Sequence, residues 1–332
     1  MSQLQESATT VVCGFVELVG RGKSLVTGAD AVSILHKFCT NDVLNLPIDR
    51  GCEAFVLDSK GQIQFYALIH RRADGLFVEL PADPTVPEVA AGFAKFVGRY
   101  VIVEEVEFHD QTSHVAELFI AGVGAEAIIA TALEIVPPAD ALQSVACPKM
   151  GDRAWLVRGS QARVPNFTLF AEPACCETAK SLLTAAGAIA CDAKWYDSLR
   201  IAAKFPLLGR DILEKALPQE IDRNARTLNF CKGCYLGQET VARLDAMGHV
   251  NKALTLLRLE QPSSTPSDVN LAPGAGPELR SGEQVVGRLM SVAQATSGTV
   301  AALGLVKTSH RAVGIRLESP LGPCVVTAPA AK

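Results

Sequence analysis

Three strand-like runs follow one another with no helix between them, at residues 54–57, 63–69 and 76–80, and Asp58-Ser59-Lys60-Gly61 joins the first two. A hairpin signal of this kind, followed by a helix predicted over residues 87–97 and a strand over 101–106, excludes a doubly wound parallel sheet, in which strands alternate with helices. The order predicts an α+β fold. Upstream, residues 11–19 have the β-branched content of a strand, Thr27-Gly28-Ala29-Asp30 closes a turn, and residues 31–38 carry helical spacing. A second cycle is predicted downstream, with strands near residues 115–120 and 154–157 and helices near 125–133, 175–186 and 193–203. After His249 the texture changes to short strands without helices, at 253–259, 285–292, 299–306, 313–317 and 324–327, which predicts a small all-β domain. The Pro/Ser/Gly-rich stretch 261–276 has strands on both sides and is expected to be a loop within that domain. At 332 residues the chain exceeds what one core sustains, so two regions are expected, 1–248 and 249–332.

A formal charge of -4 argues against a protein whose main affinity comes from neutralising nucleic-acid phosphates. Ten cysteines without the spacing of a secreted scaffold read as reduced cytosolic thiols. Residues 1–10 lack the basic head and apolar stretch of a secretory signal and the arginines of a transit peptide, and no run approaches the roughly 20 apolar residues of a membrane span. The expected location is the cytoplasm, with no membrane partner.

One run reads as a site: Lys232-Gly233-Cys234-Tyr235-Leu236-Gly237-Gln238-Glu239. A thiol among a cation, two glycines and an amide-carboxylate pair is a poor core filler. Lys232 beside it favours the reactive thiolate, and Gly233 and Gly237 permit close backbone approach. Cys231 makes the run a C-x-x-C as well, which opens a redox pair or half a zinc site. Zinc needs two further ligands, and His249 has no partner at the right spacing, so no permanently bound metal is expected. Gly20-Arg21-Gly22-Lys23-Ser24 lacks the glycine spacing of a phosphate loop and reads as a turn. Cys175-Cys176 reads as helix packing, and Glu104, Glu105 and Glu107 as a solvated strand edge.

The run fills every fixed position of the K-G-C-Y-x-G-Q-E motif and so resembles the YgfZ branch of the YgfZ/GcvT superfamily, folate-binding proteins related to the aminomethyltransferase of the glycine cleavage system. Thr40-Asn41-Asp42 resembles the family's T-N-D, and Leu57 to Gly61 its L-D-x-K-G hairpin. Phe205-Pro206 with Gly209 and Asp211 resembles P-x-x-G-x-D, Leu217-Pro218-Gln219-Glu220 resembles the P-Q-E segment, and Gly287-Arg288 with Ser291 resembles the small barrel. The resemblance implies two intertwined ferredoxin-like α+β subdomains and a C-terminal small β-barrel, in a cloverleaf around a central tunnel that accepts a tetrahydrofolate. It also implies a role in the assembly or repair of iron-sulfur clusters, including those of tRNA-modifying enzymes, with reduced folate and iron-sulfur client or assembly proteins as partners. Cys234 would then be the functional thiol, with Lys232 supporting it and Gln238, Glu239 and Arg243 shaping the tunnel mouth. Folate contacts are expected from Thr40, Asn41, Asp42, Tyr66, Tyr196, Arg200 and Gln219.

Two departures bear on chemistry. Where the transferase branch has carboxylates in the second hairpin strand, this chain has Phe65 and Tyr66 after Gln64, and neither aromatic can carry negative charge at neutral pH. A tetrahydrofolate-dependent aminomethyl transfer is therefore the alternative reading, and thiol redox chemistry the second. In the helix of Arg200-Ile201-Ala202 the family's pterin-binding carboxylate is replaced by Ala202. A methyl group cannot pair with a pterin donor, so Asp42, Asp197 or Gln219 would have to substitute.

Overall fold

The computed structural model describes residues 12–248, 250–260, 271, 274–294 and 298–328. The expectations for residues 1–10, for His249 and for most of 261–276 lie outside these residues.

The fold is α+β with two interleaved sheets and a barrel. Strand β1 (Gly14–Glu17) joins the first sheet, and the chain then leaves for the second: β2 (Gly22–Thr27), helix α1 (Ala31–Phe38), β3 (Gly51–Leu57), β4 (Ile63–Arg72), β5 (Gly75–Leu80), α2 (Val89–Gly98) and β6 (Glu107–Asp110). It returns to the first sheet with β7 (Ala116–Ala121), α3 (Ala125–Leu133), β8 (Ser144–Ala146), β9 (Trp155–Arg158), β10 (Asn166–Ala171), α4 (Pro173–Ala185), β11 (Ile189–Ala190) and α5 (Ala193–Ala202). The strand orders are β11-β1-β7-β10-β9-β8 and β3-β4-β5-β2-β6, so the chain crosses between sheets twice and the two units are intertwined.

Helical spacing sets the helix faces. In α1 the buried residues are Ala31, Ile34, Leu35 and Phe38, one stripe at the spacing of a single face. It packs into the core that Val26, Val56 and Val78 supply from the sheet below. Both faces of β7 are covered, and all six of its residues are buried.

Short helices α6 (Pro218–Ile221) and α7 (Asn224–Thr227) lead to α8 (Gln238–Met247), and then the barrel begins. Its strands are β12 (Lys252–Leu259), β13 (Glu278–Ser281), β14 (Gln284–Gln294), β15 (Val300–Lys307), β16 (Arg316–Leu317) and β17 (Cys324–Val326), in the order β13-β14-β15-β12-β17-β16. Reciprocal bonds between Arg280 and Glu318, 2.9 and 2.8 Å, bring the two edges together and nearly close it.

Two local expectations are corrected. Residues 101–106 are β-branched but form no strand: Glu104 Oε2 accepts the backbone N–H groups of Ile102 and Val103, taking the donors a ladder would use. The paired strand is β6, against β2. The Gly20–Ser24 run is not simply a turn, since Gly22, Lys23 and Ser24 enter β2, and Arg21, Lys23 and Ser24 are all buried. Among the described residues no helix is long and apolar enough to cross a membrane.

Candidate functional site

The segments singled out by sequence converge on one corner of the molecule. Asp58-Ser59-Lys60-Gly61 is the tight turn between β3 and β4, held by Asp58 Oδ1 accepting the N–H groups of Lys60 and Gln62 at 2.9 Å. Gly237 sits against it with φ 81° and starts α8. A Cβ on Gly237 would lie 2.5 Å from the carbonyl oxygen of Asp58, and one on Gly61 would lie 2.7 Å from Thr240 Cβ, so both positions need glycine for approach as well as for conformation.

The Thr40-Asn41-Asp42 segment is bonded to the chain that leads into the thiol. Thr40 Oγ1 donates to Thr227 O at 2.6 Å and accepts the Phe55 N–H at 2.9 Å. Asn41 Nδ2 donates to Glu53 O at 2.8 Å and to Arg226 O at 2.9 Å, and Thr40 O accepts the Asn229 N–H at 2.9 Å. These side chains fasten backbone to backbone. Asp42 stays half-buried, accepts from Asn45 and lies 3.4 Å from His36 Nδ1.

Lys232 has a different task from the one its sequence position implies. Its ammonium donates to the carbonyls of His36, Cys39 and Asn41 at 2.6, 2.6 and 2.8 Å, where α1 ends. Cations suit that position because helix C-terminal carbonyls are unpaired and carry partial negative charge. The thiol beside it is Cys39, 3.9 Å away and buried. Burial lowers the Lys232 pKa and raises that of Cys39. Lys232 is thus a strap, pulled inward by three carbonyls, rather than the counter-ion of Cys234.

With Lys232 and Tyr235 buried on either side, Gly233 and Cys234 are left exposed. Tyr235 lies under the Lys232 ammonium, 5.1 Å from ring centroid to Nζ, and its N–H donates to Gln238 Oε1 at 3.3 Å. Gln238 therefore closes the turn. Glu239 and Arg243 are exposed on α8, and Cys231 is a second exposed free thiol.

Of the residues expected to hold a folate, Thr40, Asn41 and Asp42 lie at this corner, while Tyr66, Tyr196 and Arg200 lie in the interior. Tyr66 donates to Glu53 Oε2 at 2.8 Å; Glu53 also accepts from Ser160 at 2.7 Å and from Arg223 at 2.6 to 3.0 Å. Burial raises the proton affinity of Glu53, and the Arg223 guanidinium overturns that, holding the carboxyl below its usual range. Tyr196 donates to Gln161 Oε1 at 2.6 Å and lies beside Arg21, which reaches Glu117 at 2.9 Å and Glu79 at 3.1 Å. Arg200 is paired with Asp197 and Asp211 and meets Ser291 of β14 at 3.1 Å, so it joins α5 to the barrel.

A folate does not fit these residues as they stand. Tyr66 and Arg200 are 0 % exposed and Tyr196 is 4 % exposed, which leaves no water-sized space at the first two. Their polar ends are spent on protein partners, and Asp197 is committed to Arg200. Gln219 donates through Nε2 to Val241 O at 2.8 Å, and its Oε1 is buried without a partner.

Sequence reasoning missed Glu53, Glu79 and Glu117, yet each left a signal: a lone carboxylate inside an otherwise apolar strand. Burial, and then the neighbouring Glu79, push the Glu117 pKa up from 4.5 to about 7. Between those values the native state holds a proton that the unfolded chain releases, so stability falls as pH rises through that window. Glu117→Gln is expected to remove this fall and to leave the protein more stable than its parent above neutrality, as thermal unfolding across pH will report. An unchanged pH profile would contradict it.

The family described as the GCVT N-terminal domain matches residues 5–226. The tRNA-modifying protein YgfZ of Yersinia enterocolitica is 29% identical over 260 residues, covering 76% of this chain and 71% of that protein. Its namesake from Vibrio vulnificus is 28% identical over 274 residues, covering 80% and 76%. Among solved structures, the glycine cleavage system aminomethyltransferase T from Bartonella henselae superposes with a TM-score of 0.77 at 18% identity, over 98% of this chain and 88% of that one, a likeness of fold.

Proposed function

This chain belongs to the GCVT N-terminal domain family as a YgfZ-type member, and from that membership we propose that it supports tRNA modification by serving iron-sulfur cluster assembly or repair through the Cys234 thiol. The observation that carries the reading is an exposed cysteine on a short segment whose flanks, Lys232 and Tyr235, are buried. A fixed backbone with a free sulfur suits a thiol that engages a partner's cluster or a partner's sulfur, because little ordering remains to be done on contact. The cluster is cargo in this reading. Transfer RNA is reached through client enzymes, in keeping with the formal charge of -4.

Tetrahydrofolate takes no step here, since Tyr66, Tyr196 and Arg200, three of the residues expected to hold it, have their polar ends on protein partners. Aminomethyl transfer is disfavoured by Tyr66, whose hydroxyl serves Glu53 inside the core. A thiol redox reading keeps one supporting observation: Cys231 and Cys234 are both free and both exposed. The two readings part in cells lacking the native copy. Cys234→Ala is expected to leave iron-sulfur enzyme activities at the level of the deletion, while Cys231→Ala restores them. Equal loss from both substitutions would favour the redox pair, and full activity with Cys234→Ala would remove the thiol from the account.

A further inference from the structure

We infer that a pocket on the barrel, remote in function from the thiol turn, binds a small anion carried on an apolar body, its phosphate or carboxylate held among Lys252, Lys307 and Arg288. The pocket has a volume of about 330 Å³ and lies where β12, β14 and β15 meet Leu213. That volume is at the lower end of small-molecule sites.

Three observations support an anion. Lys252 and Lys307 are direct cross-strand partners in the antiparallel β12–β15 pair. Like charges placed opposite one another destabilise a sheet, so a chain that keeps such a pair bears a cost that a bound anion would offset. Arg288 is the partner of Leu305 in the next pair. Because alternate residues share a face, Lys307, Leu305, Lys252 and Arg288 all point to the same side of the sheet.

The second observation is a shortage of counter-charge. No acidic residue lines the pocket among the described residues. Lys252 reaches Glu220 only at 4.0 Å, and Glu220 also accepts the Leu217 N–H at 3.1 Å. Arg288 spends one nitrogen on Gly276 O at 3.0 Å. Lys307 is exposed and, among the described residues, forms no ion pair. Glu278, the cross-strand partner of Arg288 in the β13–β14 pair, is bound to Arg280 at 2.9 Å, so the three cations outnumber the acids beside them in a chain whose formal charge is -4.

The third is the floor. Leu213, Met290 and Leu305 line the same pocket and are half-buried or buried, so the cations surround apolar surface instead of a flat basic face. A nucleic-acid backbone is followed by extended basic surfaces. A concave pocket with an apolar floor suits a compact amphipathic anion.

Calorimetry on the full chain tests this with inorganic phosphate, phenyl phosphate and benzoate as probes. Phenyl phosphate or benzoate is expected to bind one-to-one, more tightly than inorganic phosphate, and the better of the two identifies the anionic group. Lys252→Gln and Lys307→Gln should each weaken binding about tenfold, the loss expected when a charged hydrogen bond is removed. Lys95→Gln, on the exposed face of α2, should leave it unchanged. Without probe, Lys307→Gln should melt no lower than the parent, since it relieves like-charge repulsion. Absence of saturable heat with every probe, or binding that survives both lysine substitutions, overturns the proposal. So does a marked loss of unliganded stability in Lys307→Gln, which would make the lysine structural. Lysine-dependent binding of an RNA oligonucleotide without any of the small probes would likewise overturn it.

Discussion

Glu53→Gln is expected to lower the unfolding free energy by about 3–5 kcal/mol, the cost of breaking a buried ion pair from one side. Glu53 is 1 % exposed and accepts from Arg223, Tyr66 and Ser160 together. A glutamine keeps one acceptor oxygen, but it turns an amide NH₂ toward donors and leaves the Arg223 guanidinium buried without its counter-charge. Arg223 cannot escape by losing its proton. It is fixed further by Lys204 O at 3.1 Å and by the Phe205 ring 5.4 Å from its guanidinium carbon. Urea unfolding measures the loss as a lower midpoint at unchanged slope. The double substitution Glu53→Gln with Arg223→Met should recover part of it, because removing both charges removes the stranded cation. A loss below about 1 kcal/mol in the single variant would mean that water reaches Arg223 and that the interior is not closed.

Lys232→Met carries the second large effect, about 3 kcal/mol together with loss of the thiol's activity. Methionine keeps an apolar stem but loses the cation over the Tyr235 ring and leaves the carbonyls of His36, Cys39 and Asn41 without the donor they share. Hydrogen bonds to a charged group contribute about 1.5–3 kcal/mol each, and three on one ammonium do not add, so the total falls well short of their sum. Lys232→Arg should not rescue, since a planar guanidinium fork cannot converge on three carbonyls around a point. Hydrogen exchange should report the local consequence as faster exchange at Asn229, whose N–H bonds Thr40 O, and at Leu236, whose N–H bonds Lys37 O. If Lys232→Met leaves stability and exchange at their parental values, the strap is not what positions Cys234.

Much of this corner could be read in the sequence, but as separate words. Thr40-Asn41-Asp42, Asp58 to Gly61 and Lys232 to Glu239 were each recognisable. What sequence could not supply is that they bond to one another: Asn41 reaches Arg226 O across 185 residues and Lys232 reaches Cys39 O across 193. Proximity in sequence also misled. Lys232 stands two residues from Cys234, yet its four-carbon stem carries the ammonium inward to carbonyls that offer better partners than a solvated thiol. Helix α1 was legible because its apolar stripe has one period over eight residues. Residues 101–106 were misread because β-branching measures fitness for a pleated surface and not the presence of a partner strand. Resemblance sets Tyr66, Tyr196 and Arg200 at a ligand, and what sequence could not supply is their burial and their protein partners.

The most direct measurement is the content of those tRNA nucleosides that iron-sulfur enzymes modify, in cells whose native copy is replaced by the Cys234→Ala or the Cys231→Ala variant, with protein levels matched. The account predicts that Cys234→Ala falls to the level of cells without the protein while Cys231→Ala matches wild type. Wild-type nucleoside content with Cys234→Ala would contradict it.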